Sequence, residues 1–346
     1  MIRTIVVCEV QVPFVHGGAE LHVRALVAQL RARGYAAERV SLPFKWYPRD
    51  EILTHAAAWR MIDLSEANGR PIDCVIATKF PAYFVRHPAK VTWLMHQYRA
   101  AYELVGTEYS DFDHVEADVA LRNRLLMLDT RMLGESRRIF AGGRNIARRL
   151  EKFNGVAAEP LYHPPMLADR LRSGPYGDYV LTVGRLEGNK RVELAVEAMA
   201  HVDPPIRLVV AGRGTQLTNV EARAEELGVS DRVHFAGSVD DDELLDLYAG
   251  ALAVVYAPFD EDYGYVTLEA FLARKPVVTA ADSGGPLEFV ESGVNGAVCE
   301  PAPAAIAAAV NRYAADRRLA AAHGEAGYSR ASLVTWDGVI ERLLAW

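Results

Sequence analysis

Cysteine is scarce in this sequence: Cys8, Cys74 and Cys299 are the three copies in 346 residues. An odd number at such separations fits neither a zinc-ligand spacing nor a disulfide framework. The pattern points to a reducing compartment and to three small buried hydrophobes. Long apolar runs are missing as well, since nothing approaches the ~20 residues that a membrane-spanning helix needs. The opening run is too short before Glu9 to serve as a signal peptide and reads as a strand, so the expected location is cytoplasmic. Basic charge is in deficit, 38 Lys and Arg against 45 Asp and Glu, for a net charge of −7. That argues against a nucleic-acid binder, whose affinity rests on Lys and Arg neutralising phosphates.

What is present describes an ordinary globular protein, 51% hydrophobic and 24% charged. The length favours two domains, because a single core stops growing at ~250–300 residues. Strand-like runs at 4–10, 73–78, 90–95 and 138–141 alternate with helical patterns at 20–33 and 118–137 and after Gly143. The alternation restarts at Tyr179–Val183 and continues through strands at 206–211, 232–235, 252–256 and 276–280. Alternation of this kind, twice over, implies an α/β protein of two doubly wound parallel sheets with a cleft between them. The expected domains are residues 1–168 and 175–330, separated by the linker-like Ser173-Gly174-Pro175-Tyr176-Gly177. A C-terminal helix at about 331–346 is expected to pack across the first domain.

The stretch from Pro258 to Ala270 holds the densest chemistry. A short β-prone run precedes it and good helix formers follow, with Gly264 where strand gives way to helix. Such a strand–turn–helix sets the helix N-terminus at the carboxyl end of the sheet, where open α/β sheets bind phosphorylated ligands. Glu261 falls on the turn, free to reach a ligand's polar head, and Glu269 in the helix is suited to accept paired sugar hydroxyls. The plainer alternative is that Asp260, Glu261 and Asp262 only complement the helix dipole, with Glu269 a solvated surface residue. Arg185 and Lys190 lie on the turn after the first strand of the second domain and supply the fixed cations a diphosphate needs. Without a ligand, one of them is expected to pair with Glu187.

The first domain carries weaker signals. Gly17-Gly18 at the mouth of the first β–α unit allows close backbone approach to a ligand, or is a plain turn. His96 follows a strand at the carboxyl edge of the sheet, although a lone histidine is more often structural. The stretch from Arg122 to Lys152 is the most basic part of the chain. It suits an anionic membrane surface or a phosphorylated acceptor, and a solvated helix face explains it more simply.

Gly184-Arg185-Leu186 with Lys190, Glu261 and Glu269 with seven residues between, and Gly284-Gly285-Pro286 with Glu288 and Gly293 resemble the retaining glycosyltransferases of family 4. Gly17-Gly18-Ala19-Glu20 and His96 are similar to that family's pattern too. The resemblance covers nearly the whole chain and is strongest from Tyr179 to Gly296. It implies the GT-B architecture of two Rossmann-like domains and a UDP- or GDP-sugar as co-substrate, with no metal and no resident cofactor. It further implies transfer of a hexose-type sugar with retention to a hydroxyl acceptor on a glycan, glycolipid or small molecule, in bacterial polysaccharide, glycolipid or glycoside biosynthesis. Arg185 and Lys190 would hold the pyrophosphate, Glu269 the ribose hydroxyls, and Glu261 the donor sugar, helped by backbone N–H groups around Gly264, Tyr265 and Val266. His96 would contact the sugar, Gly17 and Gly18 would lie near the diphosphate, and Gly212 belongs with the donor-binding set. The turn from Val233 through Phe235 to Gly237 would border the nucleobase, mostly through backbone. Two departures stand out: glycine in place of serine before the helix at Gly142-Gly143-Arg144, and the acidic Asp260-Glu261-Asp262-Tyr263.

Other readings compete. Asp260-x-Asp262 matches a metal-binding D-x-D of the other major glycosyltransferase fold, which has one Rossmann-like unit where this chain shows two. Gly212-Arg213-Gly214 hints at a dinucleotide fingerprint, but the third glycine position is Leu217. A nucleotide-sugar epimerase and a nonenzymatic sugar-nucleotide sensor remain as alternatives on the same scaffold.

Overall fold

The structure is a computed structural model and describes residues 2–14 and 17–345. It has two compact units, Met1–Met166 with Thr335–Trp346, and Leu167–Val334. Each has an α/β fold around a parallel sheet of six strands.

In the first unit, β1 (Thr4–Gln11) leads to α1 (Gly18–Ala32), β2 (Ala36–Pro43) and α2 (Glu51–Met61). A two-stranded hairpin, β3 (Glu66–Ala67) and β4 (Arg70–Pro71), stands apart from the main sheet. β5 (Cys74–Ala77), β6 (Lys90–Leu94), α3 (Glu116–Leu133), β7 (Arg138–Ala141), α4 (Arg144–Asn154) and β8 (Glu159–Pro160) follow. The sheet order is β2-β1-β5-β6-β7-β8, with parallel pairing throughout. β5 and β6 are wholly buried; β5 is an unbroken apolar run, and β6 adds the buried Lys90 and Thr92 to Val91, Trp93 and Leu94. α1 buries Val23, Leu26, Val27 and Leu30, one stripe at helical spacing. Across that stripe lies α11 (Trp336–Leu344), whose Val339, Ile340 and Leu343 complete the core cluster of Ile5, Val7 and Trp93.

The polar residues buried in this unit include a histidine pair and an aspartate. His22 Nδ1 and His163 Nε2 lie 2.7 Å apart, enclosed by Trp93 and Trp336. Burial lowers the His22 pKa to about 3. Asp129 is fully enclosed and accepts from the Tyr102 hydroxyl at 2.5 Å; burial raises its pKa to about 7.

The second unit runs β9 (Tyr179–Val183), α5 (Val192–Ala198), β10 (Arg207–Ala211), α6 (Leu217–Glu226), β11 (Val233–Gly237), α7 (Asp241–Gly250), β12 (Ala253–Val255), α8 (Tyr265–Leu272), β13 (Val277–Ala280), β14 (Gly296–Cys299), α9 (Pro303–Ala315) and α10 (Arg317–Ala331). Its order is β11-β10-β9-β12-β13-β14, again with parallel pairing. The order reverses between β9 and β12, so the loops after those two strands flank the switch point where open sheets take ligands.

Several local expectations change. The sequence pattern assigns no strand to 36–43 or 296–299 and no helix to 303–331, yet β2, β14, α9 and α10 form there. The alternation after the strand at 276–280 predicts a helix around Glu288, and a single 3₁₀ turn, Gly285–Glu288, forms there instead. Residues 173–177 are not a free linker: the buried Lys275 ammonium donates to the carbonyls of Gly174 at 2.9 Å and Pro175 at 3.0 Å. Cys8 and Cys74 are buried free thiols, and Cys299 is half-buried.

Candidate functional site

Three turns at the carboxyl edge of the second sheet are stitched together by backbone hydrogen bonds. Phe259 N–H donates to Asn189 O at 2.8 Å, Asp260 N–H to Asp282 O at 2.9 Å, Glu261 N–H to Ser283 O at 2.9 Å, and Gly285 N–H to Glu261 O at 2.7 Å. Glu261 is therefore not on a free turn, as its sequence position suggests; its backbone is bridged to Gly284 in strand fashion. Its carboxylate accepts from Lys190 Nζ, and both side chains are largely buried, 17% exposed for Lys190 and 14% for Glu261. Lys190 does not turn to Glu187, whose carboxylate instead accepts from Thr215 Oγ1 at 2.7 Å.

Arg191, next to Lys190, is the clamp that the sequence pattern does not reveal. Its backbone sits in the left-handed region at φ 49°. The guanidinium compensates by donating to both Asp282 oxygens at 2.6 and 2.8 Å, to Ala257 O at 2.9 Å and to Pro258 O at 2.8 Å. One side chain thus ties all three turns, so Lys190 and Glu261 are held in a fixed frame.

α8 begins at Tyr265, three residues before the helix formers that mark it in the sequence, and Gly264 caps it at φ 80°. A Cβ at Gly264 would come within 3.0 Å of Pro286 and 3.1 Å of Tyr256, so glycine serves both the backbone angle and the space. The first N–H groups of the helix are those of Tyr265 and Val266. Glu269, one turn in, is half-buried rather than solvated and accepts from the Tyr248 hydroxyl at 2.7 Å. Burial raises its pKa above the ordinary carboxylate value, and the Tyr248 bond works against that rise. The buried Tyr256 phenol is pushed well up by burial and by the facing carboxylates Glu261 and Glu269.

Arg185 is exposed and its side chain has no partner among the described residues. Its turn interlocks with the next one. Leu186 N–H donates to Arg213 O at 3.0 Å, and a Cβ on Gly212 or Gly214 would strike Gly184 O at 1.8 Å or Leu186 O at 2.3 Å. Gly212-Arg213-Gly214 is thus a close-packing device between two turns. Val233 is buried in the core and Phe235 packs against it, while His234 between them is exposed.

In the first unit, the loops after β1, β5 and β6 gather at the carboxyl edge of their sheet. Gly17 N–H donates to Glu20 Oε2 at 2.9 Å, and Lys79 Nζ meets Glu20 Oε1 at 3.1 Å; Gly18 opens α1. His96 Nδ1 contacts Gln97 O at 2.7 Å, and His96 O accepts from Phe80 N–H at 3.3 Å. The basic stretch is partly spent within the fold: Arg122 donates to Ala101 O, Arg137 to Pro88 O, and buried Arg149 pairs with Glu103 at 3.0 Å.

The fold and the second unit's site define an α/β protein of two Rossmann-like units with fixed cations, two carboxylates and a helix start at a sheet switch point. Comparison with known proteins adds a chemistry. Residues 170–330 match the family model described as glycosyl transferases group 1. Alpha-1,3/1,6-mannosyltransferase ALG2 of Homo sapiens is 32% identical over 167 residues, 44% of this chain and 40% of that relative. The chain spans about two-fifths of the length of the curated relatives it matches. Sucrose-phosphate synthase from Thermosynechococcus elongatus superposes with a TM-score of 0.76 at 20% identity, over 99% of this chain and 97% of that one. Anabaena HepE in complex with UDP-glucose does so at 0.73 and 17%, over 99% of both. At such identities the likeness is one of fold, the GT-B architecture that the family resemblance implies.

Proposed function

We propose that the protein is a metal-independent, retaining glycosyltransferase. It moves a hexose-type sugar from a UDP- or GDP-sugar to a hydroxyl acceptor in polysaccharide, glycolipid or glycoside biosynthesis. The observation that carries the proposal is the Lys190–Glu261 pair beside the α8 N-terminus and Glu269, at the switch point of a unit that matches glycosyl transferases group 1.

Lys190, Arg185 and the first N–H groups of α8 take the diphosphate, and Glu269 accepts the ribose hydroxyls. Glu261 and His96 take hydroxyls of the donor sugar. The acceptor oxygen attacks the anomeric carbon from the face that the diphosphate leaves. As that bond forms, the bond from the anomeric carbon to the leaving oxygen breaks, and its electron pair and the acceptor's proton both go to the diphosphate. The protein's share is electrostatic, with Lys190, Arg185 and the helix start stabilising the charge that grows on the leaving group.

On α3, exposed Val119 and Met127 have exposed Arg124 and Arg131 on the same helix. Apolar side chains accompanied by arginine support peripheral contact with an anionic membrane surface on the cytoplasmic side.

The test is release of UDP or GDP from UDP-glucose and GDP-mannose by the purified protein, followed by NMR of the anomeric product once an acceptor is added. No release from either donor sinks the proposal, and an inverted product sinks retention. Loss of activity in EDTA with rescue by manganese sinks metal independence. Failure to sediment with phosphatidylserine vesicles removes the membrane contact alone.

A further inference from the structure

We propose that Arg213 reads the donor's nucleobase and selects a keto-bearing base, uracil or guanine, over adenine. The inference rests on the nucleotide-sugar reading of the second unit. Four observations meet at this residue. Arg213 is exposed, and its side chain has no partner among the described residues. Its backbone is anchored, because Leu186 N–H bonds to its carbonyl and the flanking Gly212 and Gly214 pack so closely on Gly184 and Leu186 that a Cβ at either would clash. Its guanidinium lies against Gly237: a Cβ there would sit 3.5 Å from both Nε and Nη2. Gly237 ends β11, and its carbonyl accepts from Gly212 N–H at 2.7 Å, so the cation and the bare backbone face form one rigid ledge.

The position on the sheet says what reaches that ledge. Lys190 and the α8 start serve the switch point between β9 and β12, whereas β11 lies two strands away from β9. At ~4.8 Å per strand the separation is ~10 Å, comparable with the span of a nucleotide from phosphate to base. A planar ring lying over Gly237, where no side chain intervenes, meets the guanidinium with its edge or its face. The guanidinium only donates. Guanine offers two adjacent acceptors, O6 and N7, and uracil offers O4. Adenine sets an amino donor beside N7: against guanine it loses the second bond, and against uracil, whose O4 has no donor on its C5 side, it brings a clash of donors.

Isothermal titration with UDP, GDP and ADP, and with UMP and GMP, tests the assignment in wild type and Arg213→Ala. The wild type is expected to bind UDP or GDP about tenfold more tightly than ADP. Arg213→Ala is expected to weaken that preferred diphosphate and its monophosphate by the same factor, about tenfold, with ADP little changed. The side chain is exposed and unpartnered, so thermal unfolding of the variant should match wild type and rule out misfolding. An unchanged preference in Arg213→Ala, an equal loss for ADP, or a wild type that favours ADP overturns the role of Arg213. Wild type that binds none of the three overturns the nucleotide-sugar reading itself, and the two failures are told apart by the wild-type titrations alone.

Discussion

Lys190 and Glu261, 71 residues apart in sequence, are each other's partner at the mouth of the second sheet. A diphosphate arriving at Lys190 therefore has to displace a carboxylate that is already there. Glu261→Gln is expected to bind free UDP or GDP more tightly than wild type, on the order of threefold to tenfold. Turnover should fall at the same time, because Glu261 is also the residue assigned to the donor sugar. Calorimetry with the free nucleotide decides it: weaker binding by Glu261→Gln means that the pair does not compete with the ligand.

Arg185 and Lys190 should separate when each is replaced by alanine. Both losses are expected to cost ~2–4 kcal/mol of transition-state stabilisation, the range for a preorganised charge contact. Only Lys190→Ala leaves a mostly buried carboxylate without its counter-ion, so only that variant should lose thermal stability. Donor-release rates and melting curves of the two proteins check this; turnover of Lys190→Ala within about threefold of wild type is incompatible with it.

Tyr248 is placed to keep Glu269 ionised. The hydroxyl bond opposes the upward push of burial, so Tyr248→Phe should raise the Glu269 pKa further. A protonated Glu269 accepts ribose hydroxyls poorly, and the acidic limb of the kcat/KM profile is expected to move to higher pH. Stability moves the other way. A raised carboxyl pKa favours the folded state at low pH and loses that contribution as pH rises through the folded value. An acidic limb that stays in place after Tyr248→Phe would show that Glu269 does not control donor use.

Two buried groups in the first unit pull its acid stability in opposite directions. His22, with a folded pKa of about 3, is neutral in the core, so stability is full above 6.5 and is lost as pH falls from there towards 3. Asp129, raised from 3.8 to about 7, favours the folded state below 3.8 and gives that up as pH rises through 7. At pH 5 each effect is about 2 kcal/mol, with opposite signs. Acidification from about pH 7.5 to 5 is therefore expected to cost Asp129→Asn about 2 kcal/mol more than it costs wild type. The tryptophans among the described residues, Trp46, Trp59, Trp93 and Trp336, all belong to the first unit, so urea unfolding followed by tryptophan fluorescence reports on that unit. Parallel pH curves for the two proteins would remove Asp129 from the account.

The parts legible in the sequence are those whose signal is local. β9, β10 and β12 are apolar runs buried on both faces, and the turns after them carry Arg185, Lys190 and Glu261 at readable positions. β2 escapes because it is the edge strand, with exposed Glu38 and Arg39 where a central strand would be apolar. α9 carries Ile306, Val310 and Tyr313 at helical spacing, a signal weakened by alanine on every side. The site's pairings could not be read at all. Nothing near Lys190 in sequence announces Glu261, and nothing in the acidic helix α7 marks Tyr248 as the partner of Glu269. Arg191 looks like an ordinary surface arginine until Asp282 is brought to it by the fold.

The helix α11 sets an order on synthesis. Its Val339, Ile340 and Leu343 share one core cluster with Ile5, Val7 and Leu26, and they are translated after the whole stretch from Leu167 to Val334. The first unit is thus completed only when α11 has cleared the ribosome, whereas the second unit is contiguous in sequence. A stop codon just before Trp336 would leave the central unit intact and the leading one with an exposed greasy groove, a target for chaperones and proteases.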